Sequence, residues 1–142
     1  MIALLDINVL IALLDGGHRD HGVARDWLVA NVGYGWASCP LTQNGCARIL
    51  SQPAYANAIP TSLALEKLSR ACATTAHTFW PDDVSLLDAS VARHDRIHTA
   101  RQLTDVYLLA LAVHHGGRLI TFDRNIPAGT VKGATAKHLV AI

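Results

Sequence analysis

The chain has 142 residues, 51% of them apolar and 16% charged, and its 12 basic and 11 acidic side chains leave a formal charge of +1. That length suits a single domain over residues 1–142, large enough to bury a core without disulfide or metal staples, and the composition excludes intrinsic disorder. A nearly balanced charge also excludes a general basic field, so any affinity for a polyanion must come from local clustering or from bound metal.

Cys39, Cys46 and Cys72 are an odd set without a CxxC pair, which points to buried free thiols rather than a disulfide framework or a cysteine zinc site. Apolar runs such as residues 9–14 and 108–113 are too short to span a bilayer, and no charged leader precedes the first strand. The expected setting is the cytoplasm, with no membrane partner.

In chain order, Ile2 to Asp6 is a short apolar run ending in a carboxylate, the signature of a buried parallel strand. Asn8 is the expected N-cap of a helix through Leu14, Gly16-Gly17 stops it, and Asp20 starts a second helix to about Asn31. Tyr34 to Cys39 is a second candidate strand, and Pro40 suits the first turn of a helix that runs to Leu50. A further helix fits Thr61 to Ala73, a strand fits His77 to Trp80, and Ser85 to Val91 has a helical pattern. Residues 94–102 are polar and read as a surface loop. Thr104 is the expected cap of a helix continuing to Val113, apolar almost all round and so buried on more than one side. After Gly116-Gly117, Arg118 to Asp123 is a strand that again ends in an aspartate, and residues 138–142 form a last strand. Strands alternating with helices imply an α/β three-layer sandwich with a mainly parallel central sheet.

Ligands in such sheets bind outside the carboxyl ends of the strands, and two strands deliver Asp6 and Asp123 to that edge while Asp105 joins from the first turn of the long helix. Unaided, two carboxylates about 4 Å apart repel by about 4 kcal/mol at an effective dielectric of about 20. A divalent cation removes that conflict, and an all-oxygen set favours Mg2+ or Mn2+ over zinc. Taken singly, each aspartate also fits a strand end or a helix macrodipole.

Five segments then resemble, in order, the PIN-domain ribonucleases, and within them the VapC-type toxins of bacterial toxin–antitoxin systems. They are Leu5 to Leu10, Pro40 to Gly45 with Arg48-Ile49-Leu50, Phe79 to Asp83, Gln102 to Leu108, and Thr121 to Arg124. The resemblance implies a PIN-like fold and a metal-assisted endoribonuclease with Asp6, Asp105 and Asp123 as catalytic, metal-holding acids. It also implies inhibition by a small VapB-like antitoxin protein and a homodimer. Asn8, Thr104 and Thr121 would orient the carboxylates. Where the family supplies a further acid, this chain has Gln43, an amide that can hydrogen-bond within the site but adds no negative charge, so one ion is the expectation.

RNA must also be gripped. Arg93, Arg96, His98 and Arg101 precede Asp105, and Arg124 follows Asp123, all candidates for backbone phosphates. Trp27, Trp36 and Trp80 fit core packing rather than base stacking. The pairs His18/His21, His94/His98 and His114/His115 do not form a shared zinc set by spacing, and His114 and His115 suit a helix end. A haloacid-dehalogenase-type phosphatase also opens on a strand ending in an aspartate, but it needs a second acid two residues on, where this chain has Asn8. The stronger rival is a PIN-like module, neutral at Gln43, that binds RNA or antitoxin without cutting.

Overall fold

In the computed structural model, which describes residues 1–142, the apolar runs become short strands and the segments between them mostly helices. Their order is β1 (Ala3–Leu5), α1 (Ile7–Leu14), α2 (His21–Asn31), β2 (Trp36–Ser38), α3 (Pro40–Leu50), α4 (Thr61–Cys72), β3 (His77–Phe79), α5 (Leu103–His114), β4 (Arg118–Thr121) and β5 (Leu139–Ala141). The strands form one sheet in the order β3-β2-β1-β4-β5, with every neighbouring pair parallel.

Side chains alternate across the sheet as a period of two requires. Ala3 and Leu5 join Trp36 and Ile120 against α1 to α4, whereas Leu4 joins Ala37 and Leu119 against α5. The result is the expected three-layer sandwich. One helix, α5, covers a whole face. Its second side is closed by Val84, Leu86, Val91 and Ile97 and by Ala128 and Ala134, which is why Val106 and Leu108 to Ala112 are all buried.

Several boundaries differ from expectation. The first strand ends at Leu5, so the chain turns one residue earlier and Asp6, not Asn8, is the N-cap of α1, its Oδ1 accepting from the Ile7 N–H at 2.7 Å. Thr104 is not a cap either. It lies inside the first turn of α5, because a 3-10 turn at Ala100–Gln102 runs straight into the helix and Thr99 and Gln102 form a capping box one turn upstream. Residues 85–91 form turns rather than a helix. Ser85 accepts from the Leu87 N–H and Asp88 from both the N–H and hydroxyl of Ser90, local bonds that outcompete a helical ladder. Trp36 and Trp80 are buried and Trp27 packs on the core edge, as expected. Cys39 and Cys46 are buried and Cys72 half-buried, all free thiols, with burial pushing Cys39 up to about 11 and Cys46 to about 12.

Candidate active site

Strand order reverses at β1. The chain leaves β1 toward β2 on one side, while β4 pairs on the other, so the carboxyl ends of β1 and β4 flank the switch point where open parallel sheets bind ligands. Asp6 follows β1 directly, Thr121 ends β4, and Asp123 lies two residues beyond. A short Gly116-Gly117 turn folds α5 back against β4, which sets Asp105, in the first turn of α5, at the same edge.

One hydroxyl ties these elements together. Thr121, fully buried, donates to Asp6 Oδ2 at 2.6 Å, and its oxygen accepts from the Asp123 N–H at 3.0 Å and from the Asn8 side-chain amide at 3.5 Å. Asp123 Oδ1 in turn accepts from the Asn125 N–H at 2.7 Å. Asp6 is only 5% exposed. Burial raises its pKa, the Thr121 and Ile7 donors pull it back, and the Asp123 charge raises it again. Asp105 is pushed up to about 6, first by burial and then by the charges of Asp6 and Asp123. The three acids therefore share one field.

Do these residues fit a divalent cation? The Asn8 Oδ1 is buried without a hydrogen-bond partner, beside Thr121. An orphaned acceptor beside Asp6, whose pKa burial raises, leaves a place where positive charge would be favoured. The donor set is all oxygen, which suits Mg2+ or Mn2+. The carboxylates do not gather within 4.8 Å of one another, as the side chains of Asp83, His114 and His115 do elsewhere. Instead Asp105 and Asp123 line an open cleft of about 440 Å³ with Thr99, Arg101, Gln102, Asn125 and Pro127.

Gln43 is not brought to this cleft. Its amide donates to Ser38 Oγ at 2.9 Å and approaches Cys72 Sγ at 3.9 Å, on the side where α3 meets α4, with Leu65, Leu68 and Ser69 around it. The reason is local: Ser38 is fully buried, and its hydroxyl, also 2.8 Å from His77 Nε2, takes the amide as a partner. Asn44, which also borders the Gln43 cleft, and Arg48, one turn further on, share a second cleft of about 300 Å³ with Ile7 and Thr104. The i, i+4 spacing in the sequence carried that signal.

Among the candidate RNA contacts, Arg101 lines the acidic cleft directly. Arg93 and Arg96 both donate to the Gly129 carbonyl, at 2.9 and 3.4 Å, and so brace the loop beyond Pro127. His98 and Arg124 are exposed, with His98 anchored through its N–H to Gln102 Oε1 at 2.8 Å. Thr99, Gln102 and Asn125 also line the cleft, contributions invisible until the 3-10 turn before α5 and the turn after β4 are seen.

A wholly parallel α/β sandwich with Asp6, Asp105 and Asp123 along the carboxyl edge of its switch point is the architecture of a class of nuclease. The chain belongs to the PIN domain family, which it matches over residues 3–129, and within that family to the VapC ribonucleases. It is 50% identical to ribonuclease VapC44 of Mycobacterium tuberculosis over 142 residues, the whole of both chains. With ribonuclease VapC39 of the same organism it shares 42% identity over 124 residues, 87% of this chain and 89% of the relative. The crystal structure of M. tuberculosis VapC20, a sarcin-ricin loop cleaving toxin, superposes with a TM-score of 0.63 at 16% identity, covering 94% of this chain and 99% of that one. VapBC2 from Rickettsia felis, bound to a fragment of its promoter DNA, superposes with a TM-score of 0.59 at 13% identity over 89% of this chain and 94% of that one.

Proposed function

We propose that this ribonuclease is a divalent-metal-dependent endoribonuclease whose Mg2+ or Mn2+ is held by Asp6, Asp105 and Asp123, and that it acts as the toxin of a toxin–antitoxin pair. The observation that carries the reading is the Thr121 hydroxyl, which locks Asp6 to the backbone of Asp123 beside an unpartnered Asn8 oxygen. When bound, the cation supplies an acidified water as nucleophile and positive charge for the phosphoryl oxygens.

The chain's own groups do the rest. Thr121 and the Ile7 N–H oppose the rise that burial imposes on Asp6 and so favour its anionic form. Asp105, pushed up to about 6 by burial and the neighbouring acidic charges, would hold a cation more tightly above that pH than below it. Asn8 Oδ1 is free to accept a hydrogen bond from solvent ordered at the site. Arg101, on the rim, pairs with a phosphate next to the scissile one, and Arg124 and His98 extend that grip outward. With Gln43 committed to Ser38, three acids make a site for one ion.

The partner expected for the group, a small antitoxin protein, finds support in a cleft of about 390 Å³ between α3 and α4, lined by Gln43, Asn44, Leu65, Leu68 and Cys72, with Leu65 half-exposed on its rim. A homodimer belongs to the same reading. No helix is long and apolar enough to cross a membrane.

The test is an RNA cleavage assay with Mg2+ or Mn2+, with and without chelator, alongside Asp6→Asn. Cleavage that chelator abolishes and the variant lacks is the expected outcome. RNA binding with no cleavage under any of these conditions would replace the enzyme with a binding module.

A further inference from the structure

At the opposite end of α5 from the acidic cleft, His114 and His115 close on Asp83, 31 and 32 residues earlier in the chain. His115 Nε2 lies 2.9 Å from Asp83 Oδ1, and His114 Nε2 lies 3.6 Å from Asp83 Oδ2. All three side chains offer ligand atoms within 4.8 Å of one another. The His115 ring is stacked on Trp80, with centroids 4.6 Å apart and planes 13° from parallel, and the His114 ring stands at 88° to it. Two imidazoles are thus held edge to face, both aiming Nε2 at one carboxylate.

We propose that Asp83, His114 and His115 form a second divalent-metal site that takes a borderline cation such as Zn2+, Co2+ or Ni2+. The spacings fit. Tetrahedral ligands about 2.1 Å from a metal stand about 3.4 Å apart, and the observed 2.9 and 3.6 Å separations bracket that edge. Two nitrogens and one oxygen select a softer ion than the all-oxygen set of the acidic cleft. His114 closes α5 and His115 caps it, so the carbonyl end of the helix macrodipole adds a field that favours a cation. Neighbouring charges do not compete for the position. Asp82 is engaged with the Leu41 N–H at 3.1 Å, and Lys132, which shares a small cleft with His114, interacts with Asp88.

The site is separate from the nuclease centre, since ten residues of helix between Asp105 and His115 correspond to about 15 Å. Three protein ligands leave one position for water or an incoming anionic group. Bound metal would clamp the segment after the edge strand β3 to the end of α5, adding to the packing that Trp80 and Val84 already make there.

The test uses tag-free, chelator-stripped full-length protein titrated with Co2+, read by its visible d–d absorption and by Zn2+ displacement. Alongside it run Asp83→Asn, His114→Gln, the double variant His114→Gln/His115→Gln, and Asp105→Asn as the variant of the other site. One equivalent of Co2+ with the intense visible absorption of a low-coordinate, nitrogen-ligated site should bind in wild type and in Asp105→Asn alike, whereas octahedral Co2+ taken by the acidic cleft is pale and is lost in Asp105→Asn. Asp83→Asn and His114→Gln, both at exposed positions, should weaken binding at least tenfold, and the double variant should abolish it. Zn2+ should raise the melting temperature of wild type and leave the double variant unmoved. Intense Co2+ absorption unchanged in the double variant, or lost in Asp105→Asn instead, overturns the proposal, as does the absence of any binding tighter than millimolar.

Discussion

Thr121 shows how one small side chain can set the state of a site. Its single proton goes to Asp6, which leaves its oxygen to accept from Asp123 and Asn8. Thr121→Val keeps the shape and removes both roles. Asp6 then loses its strongest counterweight to burial, so its pKa climbs further. A buried acceptor left without its donor costs about 1–3 kcal/mol, and carried into the transition state that is a loss of about 5- to 150-fold in kcat/KM. The acid limb of the pH–rate profile should move upward with it; a limb that stays in place would show that Thr121 does not govern Asp6. Asp105 makes a prediction of opposite sign for stability. Its folded pKa of about 6 exceeds the ordinary 3.8, so in metal-free protein the folded state binds this proton more tightly than the unfolded chain does. That stabilisation is complete below about pH 4 and is lost as pH rises through 6. Metal-free Asp105→Asn should therefore be more stable than wild type at pH 8, by on the order of 1 kcal/mol once solvent screening of this half-exposed group is allowed for. Urea melts at pH 5 and pH 8 measure it, and equal stability of the two proteins at pH 8 would refute the shared field.

The turn from α5 into β4 does at the element scale what Thr121 does locally, because it fixes which way Asp105 faces. Gly116 takes a left-handed φ of 66° just past the helix cap, and the Gly117 N–H reaches back to the Ala112 carbonyl at 2.8 Å. A β-carbon on Gly117 would stand 2.5 Å from both the Ile2 carbonyl oxygen and the Trp80 ring. Gly117→Ala should cost about 2–3 kcal/mol, seen as a lower urea midpoint with an unchanged slope. A neutral result would mean that β1 and Trp80 yield more easily than packed backbone should. The existence and type of α5 were legible because it is apolar almost all round and closed by Gly116-Gly117. Its start was not, since Thr104 is a better cap by residue type than Gln102, and only the 3-10 turn held by Thr99 shows that the helix begins earlier. Residues 85–91 misled for a related reason: apolar spacing suggested a helix, while Ser85 and Asp88 spent their short side chains on local turns.

For the whole molecule, the parallel sheet and its acidic edge could be read from sequence because each depends on position along the chain: a strand ends where its carboxylate stands. Gln43 and the Asp83, His114, His115 group could not, because they depend on direction around a helix and on contacts across 31 residues, neither of which spacing reveals. Charge is legible only as a total. A net +1 gives RNA no reason to approach most of the surface, so binding must be local, and the local cations are few. Arg93 and Arg96 hold the Gly129 carbonyl, whereas Arg101 faces the acidic cleft. Each phosphate neutralised by a side chain contributes about 0.7 to the slope of log K against log salt for single-stranded nucleic acid. With a catalytically silent Asp6→Asn background, Arg101→Gln should flatten that slope by about 0.7 and weaken RNA binding at low salt more than at high salt. Arg19→Gln, at an exposed position in the α1–α2 turn, should leave it alone. If the two substitutions act equally, the polyanion is held by diffuse charge and not by the rim of the cleft, and Arg101 has no special place in substrate capture.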